Sequence, residues 1–355
     1  MISETLQQKL SATVKALTVP KKGILAADES ANTVEKRFAP IGLENTEDNR
    51  RAFRELFFTA PGVADYISGV ILFDETIRQK ASNGKTFVAI LEEQGIVPGI
   101  KVDKGVAAME DSPEEKITNG LEGLPERLAE YVSLGARFCK WRAVITIGEG
   151  LPTQANILEN ARILTAYAKA CQEAGLVPIV EPEVLMDGKH SREQCKVATT
   201  QIQTALFAEL QLQNVWLPGL ILKSNMVIEG KDFTPHSTAA EIAHDTIETF
   251  EQVVPENIGG IVFLSGGESE QDATKNLNEM HKNRNLPWPL TFSYARALQD
   301  SATKTWAGKP ENFSHAQEIF IARAKLDSLA TIGEYNPSLE LKGVSTFAES
   351  QASQD

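Results

Sequence analysis

The chain has 355 residues, 42% hydrophobic and 23% charged, which is enough apolar material to bury one large core or two smaller ones. Its net charge of −13 leaves no basic excess to displace counterions from nucleic acid, and no apolar run approaches the ~20 residues of a bilayer span. Cys139, Cys171 and Cys195 lack C-x-x-C spacing and the five histidines are scattered, so neither a disulfide framework nor a metal site is encoded.

The opening stretch "MISETLQQKLSATVKALTVP" lacks the basic, apolar and small-residue succession of a secretory signal; it predicts an amphipathic first helix in a cytoplasmic protein. Eight short apolar runs follow: "GILAAD" (23–28), "SGVILF" (68–73), "VPGIKVD" (97–103), "ARFCKWRAV" (136–144), "LVPIVEPEVL" (176–185), "VWLPGLILKSNM" (215–226), "GGIVFLSG" (259–266) and "LTFSYAR" (290–296). Helical patterns separate them. The segment 153–175 keeps apolar residues at helical spacing and stops at Gly175; 191–214 opens with Ser191 three residues before Gln194, and 237–255 carries Thr238 three residues before Glu241.

Sustained strand–helix alternation predicts parallel strands joined by right-handed crossovers. Eight units fit a single-domain (β/α)8 TIM barrel over 1–335, with an extra N-terminal helix plugging its bottom and a flexible polar tail over 336–355. An open doubly wound sheet would place a G-x-G-x-x-G turn after its first strand, and "LAADES" has none.

In such a barrel, catalytic side chains project from the C-terminal strand ends. Here those ends carry Asp28, Asp74 and Glu75, Lys101 and Asp103, Lys140 and Arg142, Glu181 and Glu183, Lys223, Ser265 and Arg296. Two-residue spacing puts Lys140 with Arg142, Glu181 with Glu183 and Lys101 with Asp103 on shared strand faces. Any one pair is more simply a solvated salt bridge; a charge at nearly every strand end points instead to a converging site.

Lys223 stands in the apolar run "ILKSNMV", where the plain expectation is a snorkelling side chain and the sharper one a desolvated nucleophilic amine. Lys140 and Arg142 would lower its pKa, while Glu181, with a raised pKa, would donate the proton that expels water from a carbinolamine. Asp28 would be a second acid–base group. "FLSGGES" offers Ser265, Gly266 and Gly267 as an anion-binding turn, with Arg296 following the last strand. These residues describe a lyase or transferase acting through a lysine Schiff base on a phosphorylated carbonyl compound, without metal or cofactor.

The motifs "GILAADES", "ENTEDNRRAFRELFFTAPG", "GVILFDET", "GIKVDKG", "KWRAV", "GLVPIVEPEVL", "FLSGGESE" and "FSYARALQ" together resemble class I fructose-bisphosphate aldolases, most closely those of plants and photosynthetic microbes. The resemblance spans about residues 10–335. It implies reversible cleavage of fructose 1,6-bisphosphate to dihydroxyacetone phosphate and glyceraldehyde 3-phosphate, with sedoheptulose 1,7-bisphosphate as a further candidate substrate. By position it implies Lys223 as the Schiff-base residue, Glu181 for carbinolamine chemistry with Glu183 beside it, and Asp28 for the hydroxyl proton. Lys140 and Arg142 organise the site; Ser265, Gly266 and Arg296 receive the phosphate nearer the ketone, and Ser30, Thr33, Arg37 and Lys101 the other. A homotetramer is implied as well.

Three departures stand out. Ser224 replaces the usual proline after the reactive lysine, Thr33 replaces a serine, and the tail "AESQASQD" lacks the family's terminal tyrosine and is expected to make no chemical contribution. Two other readings remain: a transaldolase-like enzyme acting on another sugar phosphate, and an inactive barrel kept as a binding scaffold.

Overall fold

The computed structural model describes residues 2–282 and 285–340. Among the described residues ten strands are present: β1 (Gly23–Ala27), β2 (Ile67–Leu72), β3 (Val97–Lys101), β4 (Val106–Met109), β5 (Ser112–Thr118), β6 (Phe138–Ile145), β7 (Val177–Val184), β8 (Ile221–Ser224), β9 (Gly260–Phe263) and β10 (Leu290–Tyr294). Eight of them close into a parallel barrel in the order β1-β10-β9-β8-β7-β6-β3-β2, one for each apolar run. Their interiors are buried on both faces, which is why they read as continuous apolar stretches.

The helices between them end where their caps dictate. Ser191 and Gln194 form a reciprocal capping box before the helix Arg192–Leu212, and Thr238 and Glu241 form another before Ala239–Val253. Most of the apolar core lies between the strands and this outer ring of helices.

The barrel's lower end is sealed by the N-terminal helix Glu4–Leu17. Leu10, Val14 and Leu17 pack against Ile24, Phe138, Val177, Ile221 and Val262. Burial of each such side chain contributes about 1.5–3 kcal/mol relative to exposure. Space there is tight: a Cβ on Gly99 would fall within the ring of Phe138, so that strand position accepts only glycine without repacking.

Two features differ from the sequence expectation. The segment between β3 and β6 folds into an antiparallel hairpin, β4–β5, outside the barrel. Buried Glu115 on β5 accepts from the Thr153 N–H and hydroxyl, and Asn156 and Asn160 donate to Lys116 O, so the hairpin is tied to the helix after β6. Glu340, which the sequence assigns to the tail, pairs with Arg323 at 2.8 Å and accepts from the Tyr335 hydroxyl at 2.9 Å. The remainder of that tail lies outside the described residues.

Candidate active site

The C-terminal strand ends open into a cleft of about 1100 Å³. Register explains which charges meet: β6 pairs with β7 so that Arg142 lies opposite Glu181 and Val144 opposite Glu183, while Lys140 at the end of β3's pairing faces Lys101. Inward-facing charges of both signs on neighbouring strands are thereby gathered around the axis.

At the centre, Glu181 lies between two lysines. Its Oε1 is 3.1 Å from Lys223 Nζ and its Oε2 is 3.1 Å from Lys140 Nζ, which in turn reaches Asp28 Oδ2 across the axis at 2.7 Å. All four groups are buried. Burial pushes the Asp28 carboxyl up, but Lys140, Lys223 and Lys101 together outweigh it and hold it at about 2. Burial likewise pushes Glu181 up, and Lys140, Lys223 and Arg142 pull it below the usual carboxylate range. For Lys140, burial opposes the charged form, but Asp28, Glu181 and Asp103 raise its pKa well above the ordinary lysine value.

The expected raised pKa of Glu181 is thus corrected: two ammonium groups within 3.1 Å keep it ionised. The cations expected to act on Lys223 are themselves paired. Lys140 has Asp28 and Glu181, and Arg142 donates from Nε to Glu183. Ser224, standing where the resembled family has proline, is buried and accepts from Gln203 Nε2 at 2.9 Å.

One rim holds Ser265, Gly266 and Arg296. The turn requires glycine at Gly266 (φ +56°) and Gly267 (φ +122°), conformations that side-chain-bearing residues rarely adopt. Ser30 and Thr33 stand at and just inside the start of the helix Ala31–Phe38, their hydroxyls 3.1 Å apart. Arg37 Nη2 is 2.9 Å from Glu29 Oε1, its Nη1 donates to Gln299 Oε1 at 2.7 Å, and Gln299 donates to Ala26 O at 3.0 Å. Lys101 pairs with Asp103 at 2.5 Å.

Every site residue expected from the sequence lines this cleft except Gly267, which follows the lining residue Gly266 in the glycine turn. Glu29, Lys36, Asp74, Arg78, Lys104, Arg127, Glu130 and Tyr131 line it too, though none was assigned a role there. Asp74 had been noted only as a charge after the second strand. The cluster Asp74–Arg78–Glu130–Tyr131 is joined by short ion pairs and a hydroxyl bond at 2.9 Å. Glu29 adjoins Asp28 in "AADES", which could have signalled it; Arg127 and Tyr131 come from a helix and carry no strand-end signal. Among the described residues, one acidic–histidine grouping has metal-like spacing, His244, Asp245 and Glu248 on an outer helix. Its carboxylates are already paired with Arg192 and Lys196.

The fold and this lysine–carboxylate centre define a barrel enzyme equipped for carbonyl–amine chemistry. The class-I fructose-bisphosphate aldolase family model matches residues 9–352. A probable class 1 fructose-bisphosphate aldolase of Xanthomonas campestris is 51% identical over 92% of this chain and 98% of its own length. The cytosolic fructose-bisphosphate aldolase 4 of Arabidopsis thaliana is 49% identical, covering 94% of this chain and 85% of that protein. The Plasmodium falciparum aldolase, solved in a ternary complex with TRAP and a small-molecule inhibitor, superposes with a TM-score of 0.93 at 46% identity, covering 94% of this chain and 97% of that one. The chain belongs to the class I fructose-bisphosphate aldolases, carbon–carbon lyases that cleave fructose 1,6-bisphosphate through a lysine Schiff base.

Proposed function

We propose that Lys223 forms the Schiff base and that Glu181 manages its protons. The observation that carries this reading is the buried Glu181 carboxylate, 3.1 Å from both Lys223 Nζ and Lys140 Nζ. Glu181 is ionised at rest, so its first act is to accept a proton from the Lys223 ammonium. The neutral amine attacks the substrate ketone, giving a carbinolamine. Protonated Glu181 then returns its proton to the departing hydroxyl, releasing water and leaving an iminium.

Asp28, also ionised, takes the proton from the hydroxyl on the carbon beyond the scissile bond. That bond breaks to an aldehyde, and its electron pair passes into the iminium to give an enamine. Protonation of the enamine carbon and hydrolysis free the ketone product and regenerate Lys223. Lys140 keeps Asp28 and Glu181 in register, and Arg142 fixes Glu183 beside them. Ser265, Gly266 and Arg296 take the phosphate nearer the ketone. Ser30, Thr33, Arg37 and Lys101 lie in the region of the other.

We propose the longer sedoheptulose 1,7-bisphosphate as a second candidate substrate. A homotetramer in the cytoplasm, serving glycolysis, gluconeogenesis or carbon fixation by the Calvin cycle, is the setting we propose. No helix among the described residues is long and apolar enough to cross a membrane.

Borohydride reduction with dihydroxyacetone phosphate tests the assignment. The adduct is expected on the peptide containing Lys223; an adduct confined to Lys140 or Lys101 overturns it.

A further inference from the structure

Glu181 and Lys223 stand on neighbouring strands whose pairing stops just below them. β7 is laddered to β6 along its whole length, from Val177 to Val184, and β8 is laddered to β9 from Ile221 to Ser224. Between β7 and β8, among the described residues, only Ile179 with Ile221 and Val180 with Leu222 are paired. The ladder therefore ends one residue short of the 3.1 Å contact between Glu181 and Lys223.

The sequence of β7 accounts for the break. The N–H groups of Val177 and Leu185 donate to Arg137 O and Ile145 O, on the β6 side. Backbone groups alternate sides along a strand, so the even-numbered positions of β7 turn toward β8. Position 182 is one of these, and Pro182 has no N–H to give. The next donor on that side is the Val184 N–H.

A side chain takes this donor. Asn225 Oδ1 accepts from the Val184 N–H at 2.9 Å. The Asn225 amide nitrogen donates to Met226 O at 3.0 Å and to Thr199 Oγ1 at 3.1 Å, the latter on the helix Arg192–Leu212. The amide fits in one orientation, because a peptide N–H must donate and a peptide carbonyl must accept. Asn225, Thr199 and Val184 are all buried, so water does not compete for these bonds. One turn further along the same helix, Gln203 donates to Ser224 Oγ at 2.9 Å. The strand end is thus fixed to the helix at two successive residues directly after Lys223.

We propose that Asn225 is a positioning residue for the reaction: its side chain replaces the ladder bond that Pro182 cannot make, and so holds Lys223 at proton-transfer distance from Glu181. Transfer between reacting groups is steep in distance, and a misplacement of about 1 Å costs on the order of 100-fold. This inference rests on the reading of Lys223 as the Schiff-base residue and Glu181 as its proton acceptor.

The test is single-turnover borohydride trapping with fructose 1,6-bisphosphate. For Asn225→Ala, iminium formation on Lys223 is expected to slow about thirtyfold and to limit kcat. Affinity for a hexitol 1,6-bisphosphate, which has both phosphates and no carbonyl, should stay within about a factor of two. Asn225→Ser leaves a smaller void, yet its side chain is too short to span from Thr199 to the Val184 N–H; it should show the same selective slowing where Asn225→Ala does not fold. A trapping rate within about twofold of wild type overturns the proposal. Equal losses of trapping rate and of hexitol bisphosphate affinity overturn it as well, because the site as a whole has then given way. If the unaltered protein yields no adduct on Lys223, the Schiff-base reading itself fails, and the inference with it.

Discussion

The two ends of this barrel are built from the same strands and obey opposite rules. At the lower end, Leu10, Val14 and Leu17 close against Phe138, Ile221 and Val262 in a wholly apolar plug. A few residues further along, β6 changes from Phe138 to Lys140, and β8 from Ile221 to Lys223; at that height the axis holds ionised groups nearly sealed from water. Burying charge costs stability unless it is paired, and the pairing here leaves one carboxylate shared by two lysines. The plug stabilises a molecule whose other end is arranged for reaction.

That contrast is broken most severely by Lys223→Ala. Cleavage of fructose 1,6-bisphosphate is expected to fall by at least ~10³-fold, about 4 kcal/mol of barrier, because the covalent route is lost. The melting temperature should change little, since Glu181 keeps Lys140 as partner. A folded variant with more than a tenth of wild-type turnover would remove Lys223 from the chemistry. At the other end, Leu17→Ala should cost about 2–5 kcal/mol of stability in denaturant titration while leaving kcat/KM of the folded enzyme unchanged. Lost activity without lost stability would mean that the two ends are coupled.

Arg296→Ala sharpens the comparison within the reactive end. Loss of a charge-assisted phosphate contact costs about 1.5–3 kcal/mol, so KM for fructose 1,6-bisphosphate should rise roughly tenfold to a hundredfold. An unchanged KM would clear Arg296 of phosphate binding.

The smallest effect concerns Glu268, beside the glycine turn after β9. Burial, with Asp272 and Glu229 nearby, pushes its carboxyl up to about 8, against a hydrogen bond from Asn276. Between about pH 4.5 and 8 the folded protein keeps this proton and the unfolded chain does not, so stability falls as pH rises through that window. Glu268→Gln should remove that slope, and the variant should lose about 2 °C less in melting temperature than wild type between pH 5 and 6.5. Identical pH profiles would show that Glu268 is ionised throughout.

Much of this was legible in the sequence because strand geometry is simple. Two-residue spacing was enough to place Lys140 with Arg142 and Glu181 with Glu183 on the inner face, and a lone lysine in "ILKSNMV" marked the centre. The direction of Glu181's pKa was not legible, because it depends on which neighbours the interstrand register brings alongside, and register between distant strands is not written locally. The β4–β5 hairpin escaped for another reason: "VAAMEDSPEEKIT" is half-exposed and charged, and its order comes from Glu115, Asn156 and Asn160 rather than from an apolar face. The cleft-lining Arg127 arrives from a helix, where strand-end logic has no reach.

An ammonium and an iminium carry the same charge, and they differ in position by little more than a bond length. The carboxylate 3.1 Å from Lys223 Nζ is therefore already placed for the cation that the reaction will put there. Nothing in the surrounding field has to rotate when one replaces the other, and the low-dielectric walls keep that field strong. Water, which would have to reorient around a nascent cation, is largely excluded from these four side chains. The resting enzyme is in this sense an electrostatic mould of its own covalent intermediate, cast in advance by a proteinaceous amine of matching charge.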